Sequence, residues 1–164
     1  MSIDLAVRVD GEMRLRALIP EIGSTLKELL GVLAEPCFQL NIIEDGVVSE
    51  AVDDELCDRS SPYFLLSLAG FDGTVGLGLY EGYLSVSMGA HRTPMEYALG
   101  ASVAIAMARK FGSVIEDPWR YFGRNHECSG DEMMSSLRQR LPAPAWADMC
   151  DASDYMFPNA AERQ

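Results

Sequence analysis

Three consecutive runs in the middle of the chain, residues 63–69, 74–80 and 83–88, alternate large apolar residues with small or polar ones over the length of a strand. Glu81-Gly82 is a two-residue hairpin signal, and Gly70-Phe71-Asp72-Gly73 supplies the other turn. The register follows from those turns. Phe64 faces Leu79 and then Leu84, Leu66 faces Leu77 and Val86, and Leu68 faces Val75 and Met88. Three purely apolar rows define a core face, because a slip of one residue would send every one of these side chains to the other side. The opposite face reads Tyr63–Tyr80–Tyr83, Leu65–Gly78–Ser85 and Ser67–Gly76–Ser87, smooth in the middle and aromatic at one end.

A sheet with one apolar face needs a covering layer. Thr93-Pro94-Met95-Glu96 is a helix start, with a Thr cap, Pro at the first helical position and Glu three residues after the cap. The helix runs to about Phe111 and stops at Gly112. From Ala98 to Ala108 it is apolar nearly all round, which makes it central and packed on the sheet. Ser113-Val114-Ile115 adds a strand that Asp117-Pro118-Trp119 breaks, and Ser129-Gly130-Asp131-Glu132 opens a short helix to about Arg140.

At the start of the chain Ile3, Leu5, Val7 and Val9 alternate with polar or small residues. A loop over Asp10 to Glu12 then pairs Val9 with Met13 and Val7 with Leu15 as a hairpin, which Pro20 ends. Thr25-Leu26-Lys27-Glu28 reads as a capping box for a helix bearing Leu26, Leu29, Leu30 and Leu33 that Pro36 stops; Phe38, Leu40 and Ile42 form the next strand. The expectation is a single α+β domain over residues 1–164. Its antiparallel sheet is a hairpin plus a three-stranded meander, with a central Ala-rich helix and further helices on one face. Pro142, Pro144 and Pro158 make the tail irregular from about 142, with Trp146, Met149, Tyr155 and Phe157 tying it down in part.

Charge narrows the partners. Asp and Glu number 25 against 13 Lys and Arg, a formal net charge of −12. That argues against nucleic-acid phosphate or an anionic membrane as partner and favours a basic one. Every apolar segment is interrupted well short of a membrane span. Cys37, Cys57, Cys128 and Cys150 include no CxxC pair, and the first ten residues lack the basic start and apolar run of a signal peptide. The reading is a cytoplasmic protein with reduced thiols.

The candidate chemical motifs are thin. Gly73-Thr74-Val75-Gly76-Leu77-Gly78 fits neither a phosphate loop nor a dinucleotide fingerprint, and its glycines lie inside a strand, where something can approach the backbone closely. His126, Glu127, Cys128 and Asp131 lack the second ligand pair of a structural zinc site unless His91, Cys37 or Cys150 folds in. Cys128 with His91 or His126 is a formal nucleophile–base pair without a family signature around it. Glu116 and Asp117 point to opposite faces of a strand, and Asp117 before Pro-Trp suits a turn cap. No catalytic residue, metal or cofactor is expected. The surface is more informative. From Glu44 to Asp58 the chain carries Glu44, Asp45, Glu50, Asp53, Asp54, Glu55 and Asp58 and not one basic residue, with Val47, Val48, Ala51 and Leu56 interleaved. This stretch is either a solvated loop or a negative docking surface. Together with Tyr63, Tyr80 and Tyr83 it makes the candidate partner-binding set.

The stretch from strand 83–88 through the Ala-rich helix to Gly112-Ser113-Val114-Ile115-Glu116-Asp117-Pro118 resembles bacterial immunity proteins. These are the antidotes encoded beside polymorphic toxins of contact-dependent inhibition and type VI secretion systems. The resemblance carries over only the general role, since no residue here matches a particular toxin-binding position. It implies an immunity protein that neutralises a cognate secreted toxin by stoichiometric protein–protein interaction, without enzymatic turnover. Two alternatives stand beside it: a type III secretion chaperone-like effector-binding protein, whose usual opening helix the N-terminal hairpin displaces, and a small enzyme using Cys128 and His126. The oligomeric state is open, because an apolar helix fits a monomer core as well as a dimer seam.

Overall fold

The computed structural model describes residues 3–11, 13–31, 35–56, 63–89, 93–118, 120, 122 and 125–140. In chain order these form β1 (Ile3–Arg8), β2 (Met13–Arg14), α1 (Leu15–Leu30), β3 (Phe38–Glu44), β4 (Val47–Glu50), β5 (Glu55–Leu56), β6 (Tyr63–Leu68), β7 (Val75–Tyr80), β8 (Tyr83–Met88), α2 (Pro94–Phe111), β9 (Ile115–Glu116), β10 (Glu127–Cys128) and α3 (Gly130–Arg140). The architecture is α+β. One antiparallel sheet has the order β10-β9-β1-β8-β7-β6-β3-β4, and β2 and β5 make a separate small pair.

The apolar rows set the layers. Leu5 and Val7 of β1, Leu84 and Val86 of β8, and Leu77 of β7 are buried on the face that α2 covers. Met88 lies directly on Gly100 of α2, where an added Cβ would stand 2.4 Å from its sulfur. Glycine there lets helix and sheet approach closely. The helices α1 and α3 pack on the two sides of α2. Gly130, at the start of α3, sits within 2.9 Å of the Ile105 carbonyl by the same measure. Arg109 of α2 ties the three helices together, with Glu28 of α1 at 2.7 Å and Asp131 of α3 at 2.7 Å. Among the described residues no element covers the opposite face of the sheet.

Both expected caps form. Thr93 Oγ1 accepts from Glu96 N, and Gly112 closes α2 at φ 60°. Glu96 does not bond back to its cap, however; its carboxylate accepts from Gly89 N at 2.7 Å, fastening the helix start to the end of β8. At α3 the capping box is reciprocal, Ser129 N donating to Glu132 and Glu132 N to Ser129 Oγ.

The N-terminal hairpin does not form. Instead, β1 pairs with β8 and β9, while Met13 and Arg14 pair with Leu56 and Glu55. From Leu15 the chain is helical straight through Pro20. The competing period wins: Leu15, Leu18, Ile22, Leu26 and Leu29 are buried at helical spacing, whereas Ala17, which the hairpin would use, is exposed. A proline inside a helix costs about 3 kcal/mol, which five buried side chains at about 1.5–3 kcal/mol each outweigh. Thr25 is thus no cap. Its hydroxyl donates to the Glu21 carbonyl within the helix. The stop is Gly31 at φ 68°, its N–H bonded to Lys27, not Pro36.

Within the meander, β7 and β8 take the expected register, Leu79↔Leu84, Leu77↔Val86 and Val75↔Met88. The pairing of β6 with β7 is shifted by two residues, Phe64↔Leu77 and Leu66↔Val75. The cause is an earlier turn, since Phe71 N donates to the Leu68 carbonyl with Gly70 at φ 86°. An even shift preserves which side chains face the core. The expected strand after α2 is β9, and β10 pairs beside it. Residues from 141 on, with the tail prolines and aromatics, lie outside the described residues, as do Cys57, Asp58, His91 and Cys150.

Candidate functional site

The uncovered sheet face is built from side chains that alternate away from the core. One row crosses six strands as Asp4, Ser87, Gly76, Leu65, Asn41 and Glu50. Another contains Ala6, Ser85 and Gly78, and further along Tyr63, Ile43 and Val48. The register shift moves Tyr63 off the Tyr80–Tyr83 row and onto the glycines. A Cβ at Gly76 would stand 1.9 Å from the Tyr63 hydroxyl, and one at Gly78 3.4 Å from the ring. The ring therefore lies flat over Gly76 and Gly78, hydrogen-bonded to Ser87, and burial pushes its phenol above the usual range. This accounts for the glycines spaced two apart in β7. The close approach they permit is made by the chain itself.

Both two-residue hairpins lie at one end of this face. Asp45-Gly46 joins β3 to β4, and Glu81-Gly82 joins β7 to β8; all four residues have φ between 49° and 80°. Glu44 and Asp45 are therefore placed at the same end as Tyr63, Tyr80 and Tyr83, about two strand spacings, or 10 Å, from the tyrosine hairpin. Tyr80 is 64% exposed and Tyr83, its cross-strand partner, is half-buried.

The structure divides the expected acidic set. Glu44, Asp45 and Glu50 are exposed on the β3–β4 hairpin, and Asp53 is exposed in the turn beyond it. Asp54 and Glu55 face the other way, toward α1. Asp54 is a buried carboxylate accepting from Arg16 N, and Glu55 of β5 lies 3.9 Å from Arg14. Asp54 is therefore removed from the docking set, because its charge is spent on a helix N-terminus. Asp58 lies outside the described residues. Of the interleaved apolar residues, Ala51 and Leu56 are core, while Val47 and Val48 are 65% and 55% exposed.

Those two valines lie on an element that the acidic-loop expectation did not contain. The stretch after Glu44 is a strand, β4, at the edge of the large sheet. Its signal was present in the sequence, an Asp-Gly pair flanked by Ile42-Ile43 and Val47-Val48.

Cys128 and His126 are two residues apart in sequence but differently engaged. The His126 ring contacts the Pro118 carbonyl through Nδ1 at 3.0 Å, and its Nε2 accepts from Arg120. The acceptor nitrogen that a thiol would need is thus occupied. Cys128 is buried at one wall of a groove of about 430 Å³ along α3, and burial, with Asp117 and Glu132 nearby, pushes its thiol up to about 11. It stays a neutral thiol at ordinary pH. Asp117 is a turn cap, as its position before Pro118 implies, accepting from Phe122 N at 2.7 Å. Among the described residues no group of three or more His, Cys, Asp or Glu is gathered as a metal site, and no helix is long and apolar enough to cross a membrane.

No family model, curated protein or solved structure matches the chain.

Proposed function

We propose that this protein works by stoichiometric binding of a basic protein, as an immunity protein that neutralises a cognate toxin. The observation that carries the reading is that the exposed carboxylates Glu44 and Asp45 lie at the same end of the sheet as Tyr63, Tyr80 and Tyr83, whose rings stand on the face that no described element covers. Carboxylates at a rim speed encounter with a cationic surface, and tyrosines supply contact area with little entropy to lose. The net charge of −12 acts in the same direction over longer range. The resemblance of residues 83–118 to immunity proteins supplies the biological role.

The test is affinity capture from lysate of the source cells, comparing the native protein with a Glu44→Gln/Asp45→Asn/Glu50→Gln variant. The expected result is one basic protein, retained in equal stoichiometry by the native chain and lost by the variant. Expressed alone in a naive host it arrests growth, and co-expression of the native chain restores growth. A captured protein without toxicity, such as a secretion effector, overturns the antitoxin role in favour of a chaperone. Capture indifferent to the three substitutions overturns the docking surface.

A further inference from the structure

We propose that β4 receives an extended, basic segment of a partner protein as an added strand, which names the binding mode of the docking reading above and rests on it. Among the described residues β4 is the edge of the eight-stranded sheet and pairs only with β3. The hydrogen-bond alternation shows which of its backbone groups are open. Ala51 N donates to the Leu40 carbonyl, and Ala69 N to the Cys37 carbonyl. Even-numbered residues of β3 therefore bond toward β4 and odd-numbered ones toward β6. Opposite Ile43 and Asn41 stand Val48 and Glu50, so the N–H and C=O of both point outward from the sheet edge.

This edge has few of the usual protections. It bears no lysine, no proline and no bulge, and its valines are exposed on both faces. The charge on it selects the occupant. From Phe38 to Asp58 there is no basic residue, and Glu44, Asp45, Glu50 and Asp53 flank the open strand. A second copy pairing edge to edge would bring two sets of these carboxylates along one seam. A partner segment alternating basic and apolar residues instead places its cations on the face that carries Glu50 and its apolar side chains on the opposite face, beside Val47.

A short blocked peptide of alternating lysine and valine is the probe, titrated into the full-length protein and followed by amide exchange. The peptide should slow exchange at Val48 and Glu50. Val48→Pro removes an outward N–H and no β3 bond, and edge strands tolerate such a proline. This variant, checked for an unchanged thermal midpoint, should bind about tenfold more weakly, the upper range for the loss of one backbone hydrogen bond. A peptide N-methylated at alternate amides should weaken equally against the native protein, a comparison that needs no variant to fold. Absent binding, or binding indifferent to both changes, overturns strand addition; so does a dimer of the native protein that Val48→Pro dissociates. A toxin that the native chain captures regardless of Val48→Pro overturns strand addition alone. Peptide capture as expected, with no toxic partner, overturns only the antitoxin role.

Discussion

Asp54 closes the N-terminus of α1 from 38 residues further along the chain, its Oδ2 accepting from Arg16 N at 3.0 Å. Its carbonyl also accepts from Leu15 N at 2.9 Å, and the Arg16 guanidinium returns to the Ala51 carbonyl. The helix has no cap of its own, because Arg14 stands at the cap position and its side chain makes no capping bond. A turn distant in sequence thus supplies what Ser or Asp would ordinarily supply locally.

Asp54→Ala should therefore lower stability by about 1–2 kcal/mol, the usual cost of losing a cap. Asp53→Ala, next to it but exposed, should stay within about 0.5 kcal/mol. Urea unfolding of the two variants checks this, and equal effects would remove the capping role. Replacing 53, 54 and 55 together would confuse a folding defect with a docking defect, so docking is better probed at Glu44, Asp45 and Glu50.

The Tyr63 ring over Gly76 gives a second test. Gly76→Ala forces the ring off the sheet and should cost about 1–3 kcal/mol, the range for overpacking. Gly78→Ala, where the ring is at ordinary contact distance, should cost less. Combining Gly76→Ala with Tyr63→Ala should cost less than the sum of the two singles in a double-mutant cycle. Strict additivity would show that the ring does not lie there.

Much of the fold was legible because its signals were local. The α2 cap, its Gly112 stop, the α3 capping box and the β7–β8 hairpin each depend on residues within a few positions of one another. The misreadings arose where the deciding partner was distant. Met13 and Leu15 alternate like a strand, and only their burial beside Leu56 and Asp54 settles them as a short bridge and a helix start. The β6–β7 shift hangs on whether the chain turns at Gly70 or at Gly73, and both are glycines at positive φ. At the candidate site the charge was visible and its orientation was not. Asp53 and Asp54 are neighbours of one residue type, yet one faces solvent and the other a helix end.

Ser102 sits wholly buried in the middle of α2, and its hydroxyl has no hydrogen-bond partner among the described residues. An unsatisfied buried hydroxyl costs about 1–3 kcal/mol, and alanine is also the better helix former. Ser102→Ala should raise stability by about 1 kcal/mol, read as a higher urea midpoint with an unchanged slope. A loss of stability would mean that the hydroxyl is satisfied in solution.

The Arg109 clamp sets an acid dependence. Its hydrogen bond holds the Glu28 carboxyl below its ordinary value of 4.5. A carboxyl lowered in the folded state stabilises that state above its unfolded pKa, and the contribution is lost as pH falls through the folded value. Both side chains are about a third or more exposed, so solvent screening keeps the effect small. Arg109→Met should cost about 0.5–1 kcal/mol at neutral pH. The gap between variant and native protein should close in strong acid, where Glu28 is protonated in both states. Glu21, lowered by Lys110, titrates in native and variant alike and drops out of the difference. Urea unfolding at neutral and acid pH measures both gaps. A gap that persists in acid would show that the contribution of Arg109 does not come from its charge pairing with Glu28.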